Sequence, residues 1–362
     1  MMKKIVTVLG ARPQFVKAAV LSRVIKQNNK IEEIIIHTGQ HYDNNMSNIF
    51  FDEMEIPLPK YNLNINNQGH GAMTGQILEK IEEVLIIEQP DGVVIFGDTN
   101  STIAGALAAK KLGIKVIHIE AGLRSFNMQM PEEINRIITD RISDLLSCPT
   151  QNALDNLANE GFNNFDIEIQ NHGDIMKDAV EYYSAFSEQK SSIIKNLELG
   201  SKPFVLATIH RQENTDSPEI LRDIFKGLEA INELEPVILP LHPRTKKKLK
   251  EYNITTSIKC IDPVGYFDML ELLKNCSMVV TDSGGLQKEA FFNQKYCIIA
   301  RTETEWVELV NNGYAKIVGS NSTDILETYS NYTESSLDFS TPLYGNEVGE
   351  KIHDSILTLL AK

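Results

Sequence analysis

Apolar residues in this chain fall in short unbroken β-branched runs rather than in strict alternation, as in Ile5-Val6-Thr7-Val8-Leu9, Ile34-Ile35-Ile36 and Val93-Val94-Ile95-Phe96. A strand buried on one face alternates, whereas one covered on both faces stays apolar, so the runs predict parallel sheet buried on both sides. In the first half they predict strands at Lys4 to Leu9, Glu33 to Thr38, Gly92 to Phe96 and Lys115 to Glu120, with helices near 14 to 28, 71 to 88 and 101 to 112. The second half repeats the grammar, with strands at Phe204 to Ile209, Pro236 to Leu241, Met278 to Thr281, Tyr296 to Ala300 and Ala315 to Val318. The fold class is therefore α/β, in two units. The strand-like Ile167-Glu168-Ile169 followed by Asn171-His172-Gly173-Asp174 puts the boundary after residue 172, giving domains 1–172 and 173–345 and a terminal helical segment 346–362.

A length of 362 residues gives each unit enough chain for its own core. The composition, 42% hydrophobic and 23% charged, excludes a disordered or low-complexity chain. No run approaches the roughly 18 apolar residues of a membrane span, and the apolar start meets Gly10 too soon for a signal-peptide core. Cys148, Cys260, Cys276 and Cys297 lie far apart without metal-ligand spacing and are expected to be buried thiols in a reducing cytoplasm. With 49 acidic and 35 basic residues, a net charge of −14, the chain has no footprint for nucleic acid. An anionic ligand must then be met by local devices, either placed basic side chains or helix N-termini.

Ligands of open parallel sheets bind beyond the carboxyl ends of the strands, so the chemistry is sought there. Gly10-Ala11-Arg12-Pro13-Gln14-Phe15-Val16-Lys17 follows the first strand and opens a helix, which suits an anion held by Arg12 and Lys17. It lacks the glycine spacing of a dinucleotide fingerprint or a P-loop, so neither NAD nor ATP chemistry is expected. Its plain alternative is a basic helix start with solvated side chains. Thr281-Asp282-Ser283-Gly284-Gly285 also ends a strand and opens a helix, where backbone N–H groups without an intervening Cβ can approach a diphosphate. Glu289, about a turn further on, could accept from ribose hydroxyls; an ordinary N-cap with a Gly-rich turn is the alternative.

Asp98, Glu120 and Glu132 stand at three separate strand ends. Carboxylates gathered in one site can have their proton affinities pushed apart, which supplies an acid and a base. Each also has a structural explanation: Asp98 as an N-cap, Glu132 with Arg136 as an i, i+4 helix pair. Three further strand ends carry His210-Arg211, His242-Pro243-Arg244 and Gln40-His41, an unusual concentration for a chain with eight histidines. Histidine there can bridge a phosphate or steady a leaving group.

Together, Gly10-Ala11-Arg12-Pro13 with Lys17, Gln40-His41, Gly97-Asp98-Thr99, His118-Ile119-Glu120-Ala121-Gly122-Leu123-Arg124, Pro131-Glu132-Glu133-Ile134-Asn135-Arg136, His210-Arg211 and Thr281-Asp282-Ser283-Gly284-Gly285 resemble the non-hydrolysing UDP-N-acetylglucosamine 2-epimerase family over nearly the whole chain. The resemblance implies two Rossmann-like domains in a glycosyltransferase-B-type arrangement with an interdomain cleft, a homodimer, and a C-terminal helix returning to the first domain. It also implies a mechanism. A base removes the C2 proton, UDP departs from C1 to leave a 2-acetamidoglucal, and UDP re-adds with protonation from the other face, giving the N-acetylmannosamine-type epimer.

By resemblance, Asp98, Glu120 and Glu132 are the acid/base candidates, and Arg136 holds a carboxylate ionised. His210 stabilises the departing phosphate with Arg12 and Lys17. Ser283, Gly284 and Gly285 take the diphosphate and Glu289 the ribose, while Gln40, His41 and His242 complete the binding set. No metal or redox cofactor is required, and the expected partner is the UDP-sugar alone, with no nucleic acid and no membrane. Thr304-Glu305-Trp306-Val307-Glu308 stands where many members have Thr-Glu-Arg-Pro-Glu. With Arg124 to Pro131, this is similar to a branch acting on UDP-2,3-diacetamido-2,3-dideoxyglucuronate in surface-polysaccharide precursor synthesis. A hydrolysing epimerase, a glycosyltransferase or a non-catalytic nucleotide-sugar sensor would share the nucleotide loops. The last two give no reason for three carboxylates.

Overall fold

The computed structural model describes residues 2–40, 51, 53–332 and 337–362. The chain divides into two compact units, Met1–Ala179 with Pro342–Lys362, and Val180–Thr341. In the first, strands β1 (Lys3–Leu9), β2 (Ile31–His37), β3 (Tyr61–Asn62), β4 (Gly92–Phe96), β5 (Lys115–Ile119), β6 (Leu145–Cys148) and β7 (Glu168–Asn171) form one sheet in the order β3-β2-β1-β4-β5-β6-β7. Every pairing is parallel. In the second, β8 (Val205–Thr208), β9 (Val237–Pro240), β10 (Lys259–Ile261), β11 (Met278–Thr281), β12 (Tyr296–Ile299) and β13 (Ala315–Ile317) run parallel in the order β10-β9-β8-β11-β12-β13.

Both sheets are covered on both faces, which is what the unbroken apolar runs require. All five residues of β4 are buried, as are all four of β11. In the first unit Val6, Val8, Ile34, Ile36, Val93 and Ile95 pack with Ile77 and Ile81 of the helix His70–Glu88. In the second, Val205, Ala207, Val237, Val280 and Ile298 pack with Leu221, Phe225 and Leu228 of the helix Pro218–Asn232. Each such Val, Ile, Leu or Phe side chain contributes about 1.5–3 kcal/mol by leaving water.

Strand succession reverses at β1, which pairs with both β2 and β4, and at β8, which pairs with both β9 and β11. These are the switch points where loops splay to opposite faces and leave a crevice for a ligand. The candidate loops after β1, β2, β4, β8, β9 and β11 follow a strand at or beside one of them, and the loop after β5 lies one strand further out.

The compact units divide at 179/180 and 341/342, a few residues from the expected 172/173 and 345/346. Asp174 N donates to Tyr344 O at 2.9 Å and Gly349 N to Asp178 Oδ2 at 2.8 Å, so the first residues of the helix Ile175–Lys190 belong with the first unit. The terminal helix Val348–Ala361 packs in that unit on the helix Arg12–Asn28. The expectation of four buried thiols needs correction: Cys148, Cys276 and Cys297 are buried, but Cys260 is exposed, because β10 is an edge strand. Among the described residues no helix is long and apolar enough to cross a membrane.

Candidate active site

In the first unit the site grows from the ends of β1, β4 and β5. The chain turns from β1 into the helix Arg12–Asn28 through Gly10, where a Cβ would stand 2.1 Å from Ser101 Oγ and 2.3 Å from Thr38 Oγ1, so only glycine fits. Gln14 binds this turn to the next loop. Its Oε1 accepts Gly10 N at 2.7 Å and Ala11 N at 3.0 Å, while its Nε2 donates to Phe96 O at 2.8 Å and to Thr99 and Thr102 Oγ1 at 3.1 Å. A little further along the helix, buried Lys17 donates to the carboxylate of Glu120.

Glu120 follows β5 with φ 71°, and Gly97 follows β4 with φ 62°. The left-handed region costs glycine little, but a residue with a Cβ about 1–3 kcal/mol, and such strain concentrates at functional sites. A Cβ on Gly97 would stand 3.2 Å from Glu120 Oε2 and 3.7 Å from Lys17 Nζ, so the bare backbone there lets the ion pair lie against the β4 loop. Asp98 comes next. Its carboxylate receives Arg136, and its backbone carbonyl receives Asn135 Nδ2 at 2.8 Å. The N-cap of the helix Asn100–Lys111 is Thr99, so Asp98 is not used as a cap.

Glu132 and Glu133 differ in role. Glu133 is fully buried, accepts Ser125 N at 3.0 Å and Phe126 N at 2.8 Å, and pairs with Arg136 at 2.8 Å. Glu132 lies half-buried beside it in the first turn of the helix Pro131–Ile142. The pair with Arg136 is thus i, i+3 from Glu133, not the i, i+4 pair with Glu132. Arg136 is a bridge between Glu133 and Asp98. Behind these acids His118, Asp140 and Arg124 form a buried polar row. Burial raises the Asp140 carboxyl, but His118 and Arg124 outweigh it and hold the pKa below the ordinary value. Gln40 bonds the β2 loop to the helix Asn100–Lys111, its Oε1 accepting Ser101 N at 3.0 Å and Ser101 Oγ at 2.7 Å. His41 lies outside the described residues.

In the second unit the loops after β8 and β11 meet on Asp282. That residue is fully buried and accepts His210 N at 2.9 Å, Arg211 N at 2.9 Å and Asn214 Nδ2 at 3.0 Å. His210 Nδ1 stands 3.1 Å from Asp282 Oδ1. A carboxylate facing Nδ1 requires the hydrogen on that atom, which presents Nε2 to a ligand. Burial raises the Asp282 carboxyl, while His210 and the two backbone donors bring it below the ordinary value. The His242 ring lies 5.4 Å from that of His210 and caps the helix Pro243–Glu251, Nδ1 accepting Arg244 N at 3.2 Å.

Ser283 caps the helix Gly284–Phe292, with Oγ accepting Leu286 N at 3.5 Å. A Cβ on Gly285 would meet nothing within 4 Å, so this helix start faces open space. The position of a Cβ on Gly284 is 3.6 Å from Trp306 Nε1, 3.7 Å from Glu305 Oε2 and 4.0 Å from an Arg211 guanidinium nitrogen. Trp306 carries the buried Lys288 ammonium 4.0 Å over its ring, and Glu305 holds Arg301 at 2.9 and 3.2 Å. Glu289 is largely buried on the same helix.

The first unit therefore gathers Arg12, Lys17, Gln40, Asp98, Glu120 and Arg136 at the ends of neighbouring strands, with Glu132 at a helix start, and the second gathers His210, His242, Ser283, Gly284, Gly285 and Glu289. Sequence reasoning gave no individual role to Gln14, His118, Glu133, Asp140 or Asp282, although His118, Glu133 and Asp282 lie in stretches that carry the resemblance, and it marked Trp306 only as a departure from the family pattern. Among the described residues no group of three His, Cys, Asp or Glu could hold a metal.

A profile of the UDP-N-acetylglucosamine 2-epimerase family matches residues 23–357. A UDP-2,3-diacetamido-2,3-dideoxy-D-glucuronate 2-epimerase of Pseudomonas aeruginosa is 49% identical over 99% of each chain. A UDP-N-acetylglucosamine 2-epimerase of Methanocaldococcus jannaschii is 41% identical over 96% of this chain and 97% of its own. The crystal structure of the M. jannaschii enzyme with UDP-N-acetylglucosamine and UDP superposes with a TM-score of 0.90 at 40% identity, covering 98% of this chain and 99% of that one.

Proposed function

The chain belongs to the UDP-N-acetylglucosamine 2-epimerase family, a family of isomerases, and from that premise we propose that its preferred substrate is UDP-2,3-diacetamido-2,3-dideoxyglucuronate, inverted at C2 without hydrolysis. The observation that carries this choice is the 49% identity to the P. aeruginosa enzyme over 99% of both chains, against 41% to the M. jannaschii N-acetylglucosamine enzyme; a UDP-N-acetylglucosamine 2-epimerase homolog of Methanococcus maripaludis reaches 51% over the shorter span of 92% of this chain. Trp306 beside the Gly284 turn, where many members carry arginine, supports it. The work is set in the cytoplasm, in a homodimer, as a step toward a surface polysaccharide.

Each step is assigned to named residues. Asp98 and Glu120, on adjacent strand ends, take and return the C2 proton, with Glu132 as the third acid. As the C2–H and C1–O bonds break, the C1=C2 double bond of the glucal forms and the electron pair of the C1–O bond leaves with UDP. The leaving diphosphate is stabilised where charge develops. His210 Nε2, aimed by Asp282, faces that charge, aided by Arg12 and Lys17. The helix start at Ser283, Gly284 and Gly285 holds the diphosphate, Glu289 the ribose, and Gln40, His41 and His242 the remaining polar groups. Re-addition of UDP with protonation from the opposite face restores the C1–O bond and inverts C2.

The test is NMR in D2O with each nucleotide sugar in turn. A C2-deuterated, UDP-linked manno product, formed with higher kcat/KM from the diacetamido uronate, is expected. Higher kcat/KM with UDP-N-acetylglucosamine would reverse the substrate choice, and release of free sugar would make the enzyme hydrolysing.

A further inference from the structure

His118 has no exposed surface, and both of its ring nitrogens are engaged. Nε2 lies 2.7 Å from the carbonyl oxygen of Gly97, and Nδ1 lies 2.7 Å from Asp140 Oδ1. A carbonyl can only accept, so Nε2 carries a hydrogen. The guanidinium of Arg124, always charged, donates to Asp140 Oδ2 at 2.7 Å beside Gly122 N at 3.2 Å and keeps this carboxyl ionised, so Oδ1 too can only accept and Nδ1 carries a second hydrogen.

We propose that His118 is a buried, doubly protonated imidazolium that positions the two candidate acids, clamping the Gly97–Asp98 peptide on one side and Asp140 on the other. The charges balance within the row. His118 and Arg124 are met by Asp140 and by Glu160, which takes Arg124 through two bonds of 2.6 and 2.8 Å. A buried cation is tolerable only when paired in this way.

The clamp acts on the acids because of where its ends lie. Gly97 O belongs to the peptide that leads into Asp98, and Gly97 N donates to Ile119 O at 3.0 Å, one residue before Glu120. Both strand ends are therefore referred to one ring. His118 touches neither acid's carboxylate and would touch no substrate, so it is a positioning residue. A displacement of about 1 Å at a reacting group can cost about 100-fold in rate, which is the scale of its expected effect.

The inference rests on the reading of Asp98 and Glu120 as the proton-transferring acids, and its test separates the two. In 15N NMR of the full chain with labelled histidine, assigned by a His118→Gln variant, both His118 ring nitrogens are expected to show one-bond N–H couplings without any substrate. A single protonated nitrogen overturns the clamp. In kinetics His118→Gln is expected to lower kcat about 100-fold with KM and UDP affinity unchanged. A variant with wild-type kcat overturns the positioning role, and so does one whose loss lies wholly in KM. Failure of Asp98→Asn and Glu120→Gln to affect turnover would instead overturn the reading of the acids. The labelled wild-type spectrum still decides the protonation if His118→Gln does not fold, with assignment then resting on the neighbours' resonances.

Discussion

The ammonium of Lys17 donates to the carboxylate of Glu120, a residue whose own backbone stands in the left-handed region at φ 71°. Both side chains are nearly buried, at 6% and 12% exposure. Removing one member of such a pair strands the other's charge and typically costs about 3–5 kcal/mol, whereas removing both charges need not. Glu120→Gln, which leaves the Lys17 ammonium buried, is therefore expected to lower the urea midpoint sharply. The double variant Lys17→Met/Glu120→Gln should recover part of the loss, as a double-mutant cycle would register. Additive losses would mean the two groups are not coupled.

Arg136 serves two carboxylates, so its removal and that of Asp98 differ in kind. Asp98→Asn leaves Arg136 paired with Glu133 and should change stability little, while turnover falls about 100- to 10,000-fold, the range for loss of a general acid or base. Arg136→Met leaves Glu133 buried and partnered only by Ser125 and Phe126, so unfolding should shift as well. Glu132→Gln separates the adjacent acids: a loss of turnover without a change in the unfolding midpoint is the expected signature. A midpoint shift as large as that of Glu133→Gln would make Glu132 structural.

The strand ends that carry chemistry were legible because burial on both faces demands unbroken apolar runs, and a turn residue must follow each. β3 and β10 escaped for the converse reason: they are two and three residues long, at sheet edges, where no such run is demanded; interior β6 escaped as well, because its four buried residues include Ser147, which breaks the apolar run. Glu132 and Glu133 cannot be told apart from spacing, since both lie in one helical turn, and only the path of Ser125 and Phe126 makes Glu133 the buried anchor. Gln14, His118 and Asp140 were illegible because each bonds to groups distant in sequence; Gln14 reaches Phe96 and His118 reaches Asp140 across separate elements. Unbroken runs locate the loops, but long-range hydrogen bonds decide which polar residue within them acts.

His172 gives a pH dependence of known sign. It is bonded to Ser147 Oγ at 2.9 Å and Ser355 Oγ at 2.8 Å, and burial, with a smaller effect from Lys351, brings its pKa down from 6.5 to about 4. Below pH 6.5 the unfolded chain protonates this ring while the folded chain does not. Stability is thus lost as pH falls from 6.5 toward about 4, and no further loss from this group follows below that. The unfolding free energy of His172→Gln should vary less with pH across that window than that of the wild type. An equally steep profile would show that His172 does not supply the dependence.

Gly285 separates binding from stability. Its added Cβ would meet nothing within 4 Å, and its φ is not positive, so alanine fits the second position of the helix Gly284–Phe292. In a helix alanine is favoured over glycine by up to about 1 kcal/mol, so Gly285→Ala should unfold at an equal or higher urea midpoint. The same methyl occupies the open space through which a diphosphate would approach the backbone N–H groups. Loss of one hydrogen bond to a charged group costs about 1.5–3 kcal/mol, or about 10- to 150-fold in Kd. UDP titration by calorimetry should show that weakening in a protein no less stable than the wild type. Unchanged UDP affinity would move the diphosphate away from this helix start and, with it, the role assigned to Ser283 and Gly284.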